Sequence, residues 1–352
     1  MTVEDYQQQA DALLAALRAG DEPAAWRFKW EHPRFKDKTV TAVRDATLDL
    51  EDARTVIAAE HSFDGWPQLT HFVQAIETDP NVQRFESAVD AVVDGDENKL
   101  RDLLRDDPNL VRARSTRRHH ATLLHYIGAN GVEGYRQKTP PNAVEIAKML
   151  LDAGAEPDAL ADLYGAKCTT MSMLVSSTHP AKAGLQARLA ELLIDYGAAL
   201  EGAGTNWQSS VRTALAFGYR DTAEALARRG APIDLPAAAG LGRTEDVARL
   251  LPAADAETRH IALALAAQHG QAGVVRMLLD AGADPSGYNP EGYHSHSTPL
   301  HQAVWADHLD VVRLLVERGA RLDLKDTLYE ATPLDWAVYG KRDAIADYLR
   351  AV

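Results

Sequence analysis

The sequence predicts an all-α solenoid of stacked helix-turn-helix units with a helical N-terminal cap. A helical phrase that opens Thr-Pro-Leu-His runs from Thr298 to Ala320, and its opening returns in the next unit at Thr332. Its Gly-Ala ending recurs along the chain, at Gly154-Ala155, Gly197-Ala198, Gly230-Ala231, Gly282-Ala283 and Gly319-Ala320. A short recurring phrase of this kind indicates units that stack on one another, because no unit can bury its apolar face alone.

One unit shows why each repeat forms two helices. Thr298 can cap the first helix, and Pro299 is tolerated at its first position because the missing N–H would be unpaired there. Apolar residues at helical spacing then give both helices a buried face, Leu300, Ala303 and Val304 in the first and Val311, Val312, Leu314 and Leu315 in the second. Gly319 can adopt the left-handed conformation that ends a helix.

This pattern resembles the ankyrin repeat, whose signature is Thr-Pro-Leu-His-x-Ala within about 33 residues. The match is close at 298–320 and good at 122–155 and in the second helix of 261–284, whereas 169–200, 210–234 and 235–254 are weaker copies. Residues 81–113 resemble an atypical first unit and residues 332–352 a shortened last one. We therefore expect an ankyrin repeat domain of about eight units over residues 81–352.

Residues 1–80 lack the repeated phrase. Apolar periodicity predicts helices near residues 4–18, 22–31, 49–60 and 67–77. Because a solenoid needs its ends covered, we expect residues 1–80 to form a helical capping region. Residues 53–66 also resemble the leader that precedes the repeats in many bacterial ankyrin proteins.

Composition narrows the classes of partner. The formal net charge of the chain is −14, which disfavours nucleic-acid backbones and anionic membranes as partners. The sequence has no apolar run long enough for a transmembrane helix and no signal-peptide pattern, and its one cysteine, Cys168, cannot form an intrachain disulfide. We expect a cytoplasmic protein, and the excess of arginine over lysine with abundant alanine favours a bacterial source.

Resemblance to the ankyrin family implies that partners bind in the groove formed by the first helices and turns. Aromatic and histidine residues occupy these positions, Phe217, His269, Trp305 and Tyr339 in the groove and Tyr164, Trp207, Tyr293, His294, His296 and Tyr329 in the turns. Exposed Trp and Tyr are typical anchors of a protein or peptide partner. The alternatives are that Trp305 and Tyr339 pack on each other and that the turn residues are simply solvated.

Two long loops suggest a second kind of site. Residues 131–143 and 177–186 are insertions in the second and third units, which are neighbours in the predicted stack. Together they could form a small basic pocket for an anionic ligand, containing Tyr135, Arg136, Lys138, His179 and Lys182. The alternative is two tolerated surface insertions.

The sequence offers little support for catalysis. His294-x-His296 could hold two metal ligands, but His301 is assigned to the repeat and no third ligand is evident. Phosphate-binding, nucleotide-binding, zinc-protease and serine-hydrolase motifs are absent. We therefore predict no catalytic residues, metal or cofactor. The favoured function is a non-catalytic scaffold for a protein or peptide partner, and the alternative is a small-molecule binder or enzyme that uses the two loops.

Overall fold

The computed structural model describes residues 1–201 and 209–352, and it divides the chain into two compact units, residues 1–206 and 207–352. In each unit the described residues are mostly helical, which confirms the predicted all-α class. In the described ranges, no helix is both long and apolar enough to cross a membrane.

The first unit contains eleven α-helices among its described residues. They are α1 (Val3–Arg18), α2 (Glu22–Glu31), α3 (Val40–Arg44), α4 (Leu50–Glu60), α5 (Trp66–Thr78), α6 (Pro80–Asp94), α7 (Glu97–Asp106), α8 (Ala143–Asp152), α9 (Thr170–Leu174), α10 (Thr178–Lys182) and α11 (Gln186–Asp195). Short 3-10 helices lie at Pro33–Phe35, Pro108–Arg112, Leu123–Gly128 and Gly134–Arg136.

Residues 1–80 form their own hydrophobic core. The four helices predicted there agree with α1, α2, α4 and α5 to within one residue at each end. Their apolar faces pack together, and the buried members include Leu13, Leu14, Val56, Ile57, Phe63, Leu69, Phe72 and Val73. The helices begin with local caps; Asp49, for example, accepts hydrogen bonds from the backbone N–H groups of Glu51 and Asp52.

One feature of the first unit departs from the helical prediction. Strands β1 (Ala161–Leu163) and β2 (Ala166–Cys168) form a short antiparallel hairpin. Its two-residue turn is Tyr164-Gly165, and both residues have positive φ, 54° and 74°. A turn with two positive φ angles matches the twist of the paired strands, which explains a hairpin in a segment without strand periodicity.

The second unit contains ten α-helices among its described residues. They are α12 (Ser210–Ala216), α13 (Arg220–Arg228), α14 (Leu235–Leu241), α15 (Thr244–Leu250), α16 (Ala256–Gln268), α17 (Ala272–Asp280), α18 (Pro299–Trp305), α19 (Leu309–Glu317), α20 (Pro333–Tyr339) and α21 (Asp343–Ala351). A short 3-10 helix spans Leu251–Ala253. The apolar faces of consecutive helix pairs share one core that includes Leu263, Leu278, Val304, Leu315 and Ile345.

Candidate functional site

Four aromatic side chains of the second unit lie together, and we call them the aromatic surface: Trp305, Tyr329, Trp336 and Tyr339. Trp305 is 47% exposed, Tyr329 55% and Tyr339 83%, whereas Trp336 is half-buried. The rings of Trp305 and Tyr339 are stacked with centroids 6.5 Å apart, and Trp336 meets the edge of Trp305 at 5.9 Å. The predicted packing of Trp305 on Tyr339 is therefore present, yet both rings remain largely accessible.

Residues close to the aromatic surface in the sequence determine where its rings lie. Thr332 caps α20 by accepting a hydrogen bond from the N–H of Asp335, so the helix begins at Pro333. Trp336 and Tyr339 then fall on neighbouring turns of one helical face. At the end of α18, the guanidinium of Arg342 donates to the carbonyl oxygen of Trp305 at 2.9 Å.

Asp326 organises the turn that carries Tyr329. Asp326 is 1% exposed, and its carboxylate accepts hydrogen bonds from the backbone N–H of Leu328, Tyr329 and Ala331 at 2.9, 2.6 and 3.1 Å. The indole N–H of Trp336 donates to the same carboxylate at 2.9 Å. One buried acid thus links the turn to α20, so the turn and the Trp336 indole share a single anchor.

Two histidines of this unit form hydrogen bonds with backbone carbonyl oxygens. His269 and His294 hydrogen-bond through Nε2 to the last carbonyl oxygens of α12, at Leu215 (2.8 Å) and Ala216 (2.7 Å). Burial lowers the pKa of His269, which favours its neutral form. These two predicted partner-binding rings are therefore already engaged within the chain.

The other residues of this unit that were predicted to bind a partner, Phe217, Tyr293 and His296, differ in how exposed they are. Phe217 is exposed and stacks with Tyr219, whereas Tyr293 is half-buried and burial raises its pKa. His296 contacts the rings of Tyr329 and Trp336, and its pKa is lowered by burial and by the neighbouring His294. Within residues 1–201 and 209–352, no group of three or more His, Cys, Asp or Glu side chains is arranged to hold a metal ion.

In the first unit, Tyr164 lies at the tip of the β-hairpin and is 67% exposed. Its hydroxyl donates a hydrogen bond to Oδ1 of Asn130 at 2.6 Å, which fixes the ring against the loop that contains Asn130. Trp207, the remaining predicted turn residue, lies outside the described residues.

The five residues predicted for an anionic pocket have different surroundings. Arg136 is buried, and its guanidinium pairs with the carboxylates of Glu86 (2.5 Å) and Asp90 (2.6 Å). Lys138 pairs at the surface with Asp94 at 3.3 Å. Tyr135 lines a cleft formed with the N-terminal helices and the hairpin, but neither His179 nor Lys182, which lie in α10, lines that cleft. The positive charge of Arg136 is thus neutralised within the chain, and the anionic site itself stays a prediction.

Arg136 belongs to a buried ionic network that we call the Glu133 network: Glu86, Arg117, Glu133 and Arg136. Glu133 is completely buried, and its carboxylate contacts the guanidinium groups of Arg117 and Arg136 and the imidazole of His119. Burial raises the pKa of Glu133, but the opposing effects of Arg117, His119 and Arg136 outweigh it and lower the pKa to about 2. The network therefore holds a buried carboxylate in its charged form.

The Glu133 network also connects residues 1–80 to later residues of the first unit. Nη1 of Arg117 donates to the carbonyl oxygen of His61 at 2.8 Å, and its guanidinium lies over the rings of Phe63 and Phe72 at 4.9 and 4.2 Å. The next residue, Arg118, donates its backbone N–H to the carbonyl oxygen of Ser62 at 3.1 Å. These contacts lie in the loop that precedes the second predicted repeat.

Cys168 is not arranged as a nucleophile. It is buried in β2, its Sγ faces the carbonyl oxygen of Leu163, and burial raises the pKa of its thiol. His125 instead hydrogen-bonds through Nε2 to the carbonyl oxygen of Cys168 at 3.3 Å.

Comparison with known proteins identifies the repeat. The family model for ankyrin repeats matches three copies over residues 235–326, the part of the second unit that runs from α14 to Asp326. This chain contains ankyrin repeats. It is 40% identical over 70 residues to the ankyrin repeat-containing protein P1E11.10 of Schizosaccharomyces pombe, a match that covers 20% of this chain and 31% of the length of that relative. A solved structure of the human ASB11 ankyrin repeat domain aligns with 75% of this chain and 96% of its own, at 20% identity and a TM-score of 0.41.

Ankyrin repeats are generally protein-interaction scaffolds. The aromatic surface lies at the first-helix and turn positions of the last two predicted repeats, where the family resemblance places partner contacts. Sequence reasoning identified Trp305, Tyr329 and Tyr339 as candidates but missed Trp336 and Asp326. A signal for Trp336 was present, because an aromatic residue stands where the preceding ankyrin repeat has Gln302.

Proposed function

We propose that this ankyrin repeat protein binds a protein or peptide partner through the aromatic surface of its second unit. The exposure of Trp305 and Tyr339 is the observation that carries the proposal. Two stacked aromatic rings that are 47% and 83% exposed leave a large apolar area in contact with water. Covering it with a partner's apolar side chains is favourable by about 25 cal/mol for each Å² removed from water.

The rigidity of the surface supports the same function. Asp326 holds the Tyr329 turn and the Trp336 indole, and Arg342 holds the end of the helix that carries Trp305. Side chains that are already positioned lose little conformational freedom on binding, which favours affinity. Trp and Tyr are also the residues that most often contribute the largest part of the binding energy at protein interfaces.

The openness of the surface favours a polypeptide over a small molecule. Small-molecule sites are concave and bury most of their ligand. Tyr339 projects from α20 with most of its ring accessible, so the surface suits a complementary segment that covers it from outside. The partner chemistry that fits is an apolar or aromatic side chain with room to bury against Trp305 and Tyr339.

A peptide selection tests this proposal. A displayed library of random dodecapeptides is selected on the full-length protein, and selected peptides are measured by fluorescence polarisation against Trp305→Ala, Tyr339→Ala and Trp66→Ala. We expect a class of peptides whose Kd rises about tenfold or more with either Trp305→Ala or Tyr339→Ala. Trp66, in α5 of the first unit, is the control because it is a partly exposed tryptophan that does not line the cleft next to Tyr135. Peptides that bind both variants as well as they bind the wild type would contradict the proposal.

We also infer that residues 1–80 cap the ankyrin repeats and that about eight repeats follow over residues 81–352. The separate core of residues 1–80 supports the first inference, as do the contacts of Arg117 with His61, Phe63 and Phe72. Pairs of helices in each unit support the second. The predicted cytoplasmic location, the bacterial source and the resemblance of residues 53–66 to a bacterial leader stay predictions.

A further inference from the structure

The segment that leads into α18, residues 286–297, contacts a helix far from it in the stack, and we call this segment the long turn. In the second unit α12 packs on α14, α14 on α16 and α16 on α18, so two helices separate α12 from α18. Nevertheless, Nε2 of His294 donates a hydrogen bond to the carbonyl oxygen of Ala216, the last residue of α12, at 2.7 Å. The long turn therefore reaches back past α16 and α14.

A second side chain of the long turn contacts the same helix. Tyr293 is half-buried and lies beside Arg212 of α12 and close to Asp234, the N-cap residue of α14. Nε of Arg212 pairs with Oδ2 of Asp234 at 3.3 Å. Because Arg212 and Ala216 are four positions apart, they lie on one side of α12. Tyr293 and His294 thus hold the long turn to that side.

Hydrogen bonds within the long turn fix its backbone next to His294. The φ angle of His294 is 61°, a left-handed conformation that few residues other than glycine adopt. The N–H and the hydroxyl of Ser297 both donate to the carbonyl oxygen of His294, at 2.9 and 3.0 Å. The carbonyl oxygen of Ser297 in turn accepts the N–H of Asn289 at 2.9 Å. A displacement of His294 would therefore disturb the residues up to Ser297.

The opposite end of this short stretch contacts the aromatic surface. The ring of His296 lies 6.2 Å from that of Tyr329 and 6.0 Å from that of Trp336, centroid to centroid. Its carbonyl oxygen accepts the N–H of Thr327, in the same turn as Tyr329, at 2.8 Å. Residues 294–296 thus contact α12 at one end and the aromatic surface at the other.

We infer that His294 is a positioning residue for the aromatic surface. By holding the long turn on α12, it keeps His296 against the rings of Tyr329 and Trp336. Consecutive Cα atoms are about 3.8 Å apart, so His296, two residues on, cannot move far while His294 is held. Rings that are fixed before a partner arrives lose less conformational freedom on binding. The effect on binding rests on the proposed function of this surface, whereas the coupling to α12 does not.

Hydrogen–deuterium exchange of the full chain tests the coupling without a partner. In His294→Ala the long turn loses its bond to Ala216, and the acceptor of the Thr327 N–H is less restrained. We expect the amides of residues 326–331 to exchange about fivefold faster or more. His294→Gln should restore much of the protection, because a glutamine amide can donate to the same carbonyl oxygen.

Gln268→Ala is the matched control. Gln268 belongs to α16 rather than to the long turn, and its Nε2 donates to the same carbonyl oxygen of Ala216 at 2.9 Å. Its loss should leave the exchange of residues 326–331 within about twofold of the wild type. Three results would overturn the inference: unchanged exchange in His294→Ala, an equal increase in Gln268→Ala, or exchange in His294→Gln as fast as in His294→Ala.

Binding is measured with the peptides whose Kd depends on Trp305 and Tyr339. We expect their Kd to rise about threefold or more in His294→Ala, and to stay close to the wild-type value in His294→Gln and Gln268→Ala. An unchanged Kd in His294→Ala would overturn the positioning role. If no peptide depends on Trp305 or Tyr339, the proposed function fails, and the exchange measurement still decides whether His294 positions this surface.

Discussion

At the scale of single residues, one buried carboxylate controls much of the aromatic surface. Asp326 accepts hydrogen bonds from three backbone N–H groups and from the Trp336 indole, and it is shielded from water. A carboxylate can serve all four donors because its two oxygens offer about four acceptor positions. An asparagine of the same shape has one acceptor oxygen, and its NH₂ group would face donors.

We therefore expect Asp326→Asn to lower the free energy of unfolding by about 1–3 kcal/mol, because buried donors lose their acceptor. Urea unfolding followed by far-UV circular dichroism measures this change, and tryptophan fluorescence reports the environment of the indoles. Asp323→Asn is the control, since Asp323 is exposed and its carboxylate pairs only locally with Arg321. Equal stability of the two variants would show that the Asp326 anchor contributes nothing.

At the scale of helices and turns, two histidines connect the start of a helix to backbone further along the chain. In the second unit, Nδ1 of His301 bonds to the Thr298 hydroxyl at 2.9 Å and its Nε2 bonds to the carbonyl oxygen of Ala331 at 3.2 Å. In the first unit, His125 bonds in the same way to Thr122 at 2.8 Å and to the carbonyl oxygen of Cys168 at 3.3 Å. The Thr-x-x-His spacing thus caps a helix and also holds the following turn.

This arrangement predicts a dependence of stability on pH. Burial lowers the pKa of His125 to about 4, with a smaller contribution from Arg114, whereas an unfolded histidine titrates near 6.5. As the pH falls from about 6.5 to about 4, the unfolded chain takes up a proton that the folded chain does not. The free energy of unfolding should therefore decrease by up to about 1.4 kcal/mol per pH unit for this site.

Urea unfolding at pH 7, 6 and 5 measures the slope. His125→Gln should be less stable at pH 7 because it disturbs the cap, yet its stability should fall less steeply towards pH 5. His71→Gln changes an exposed histidine of α5 and should retain the wild-type slope. An unchanged slope in His125→Gln would assign the acid sensitivity to other groups, such as His61, whose pKa burial also lowers to about 4.

At the scale of the whole molecule, the capping inference makes a prediction about truncation. Removal of residues 1–80 deletes the carbonyl acceptor and the two phenylalanine rings that surround the Arg117 guanidinium. Arg117 keeps its ionic partners Glu86 and Glu133 in the fragment, but apolar surface that packs against residues 1–80, such as that of Val82, becomes exposed at a cost of about 25 cal/mol for each Å². We expect fragment 81–352 to melt at a lower temperature than the full chain and to bind more of a hydrophobic dye.

Differential scanning calorimetry with dye fluorescence checks this expectation. Lys138→Met in the full chain provides a comparison, because it breaks the exposed pair with Asp94 and should change stability by at most about 1 kcal/mol. A fragment that keeps the melting temperature of the full chain would contradict a capping role for residues 1–80.

Much of this protein follows from short-range patterns. The Thr-Pro-Leu-His phrase and the Gly-Ala endings predict the helix pairs, and apolar periodicity locates four helices within residues 1–80, because capping and helical spacing depend on residues a few positions apart. Trp305, Tyr329 and Tyr339 could be identified as exposed in the same way, since the repeat assigns them to first-helix ends and turns.

Other features depend on contacts between segments that are far apart in the sequence. No sequence pattern predicts that Glu86, Arg117, Glu133 and Arg136 are buried together, and they form one buried network only because a helix and two loops converge. The β-hairpin depends on the backbone angles of Tyr164-Gly165, and the cleft that Tyr135 lines lies between segments that are far apart in the sequence. Periodicity specifies the face that a helix buries, but the burial of a charge depends on non-local partners, and only the folded chain brings those together.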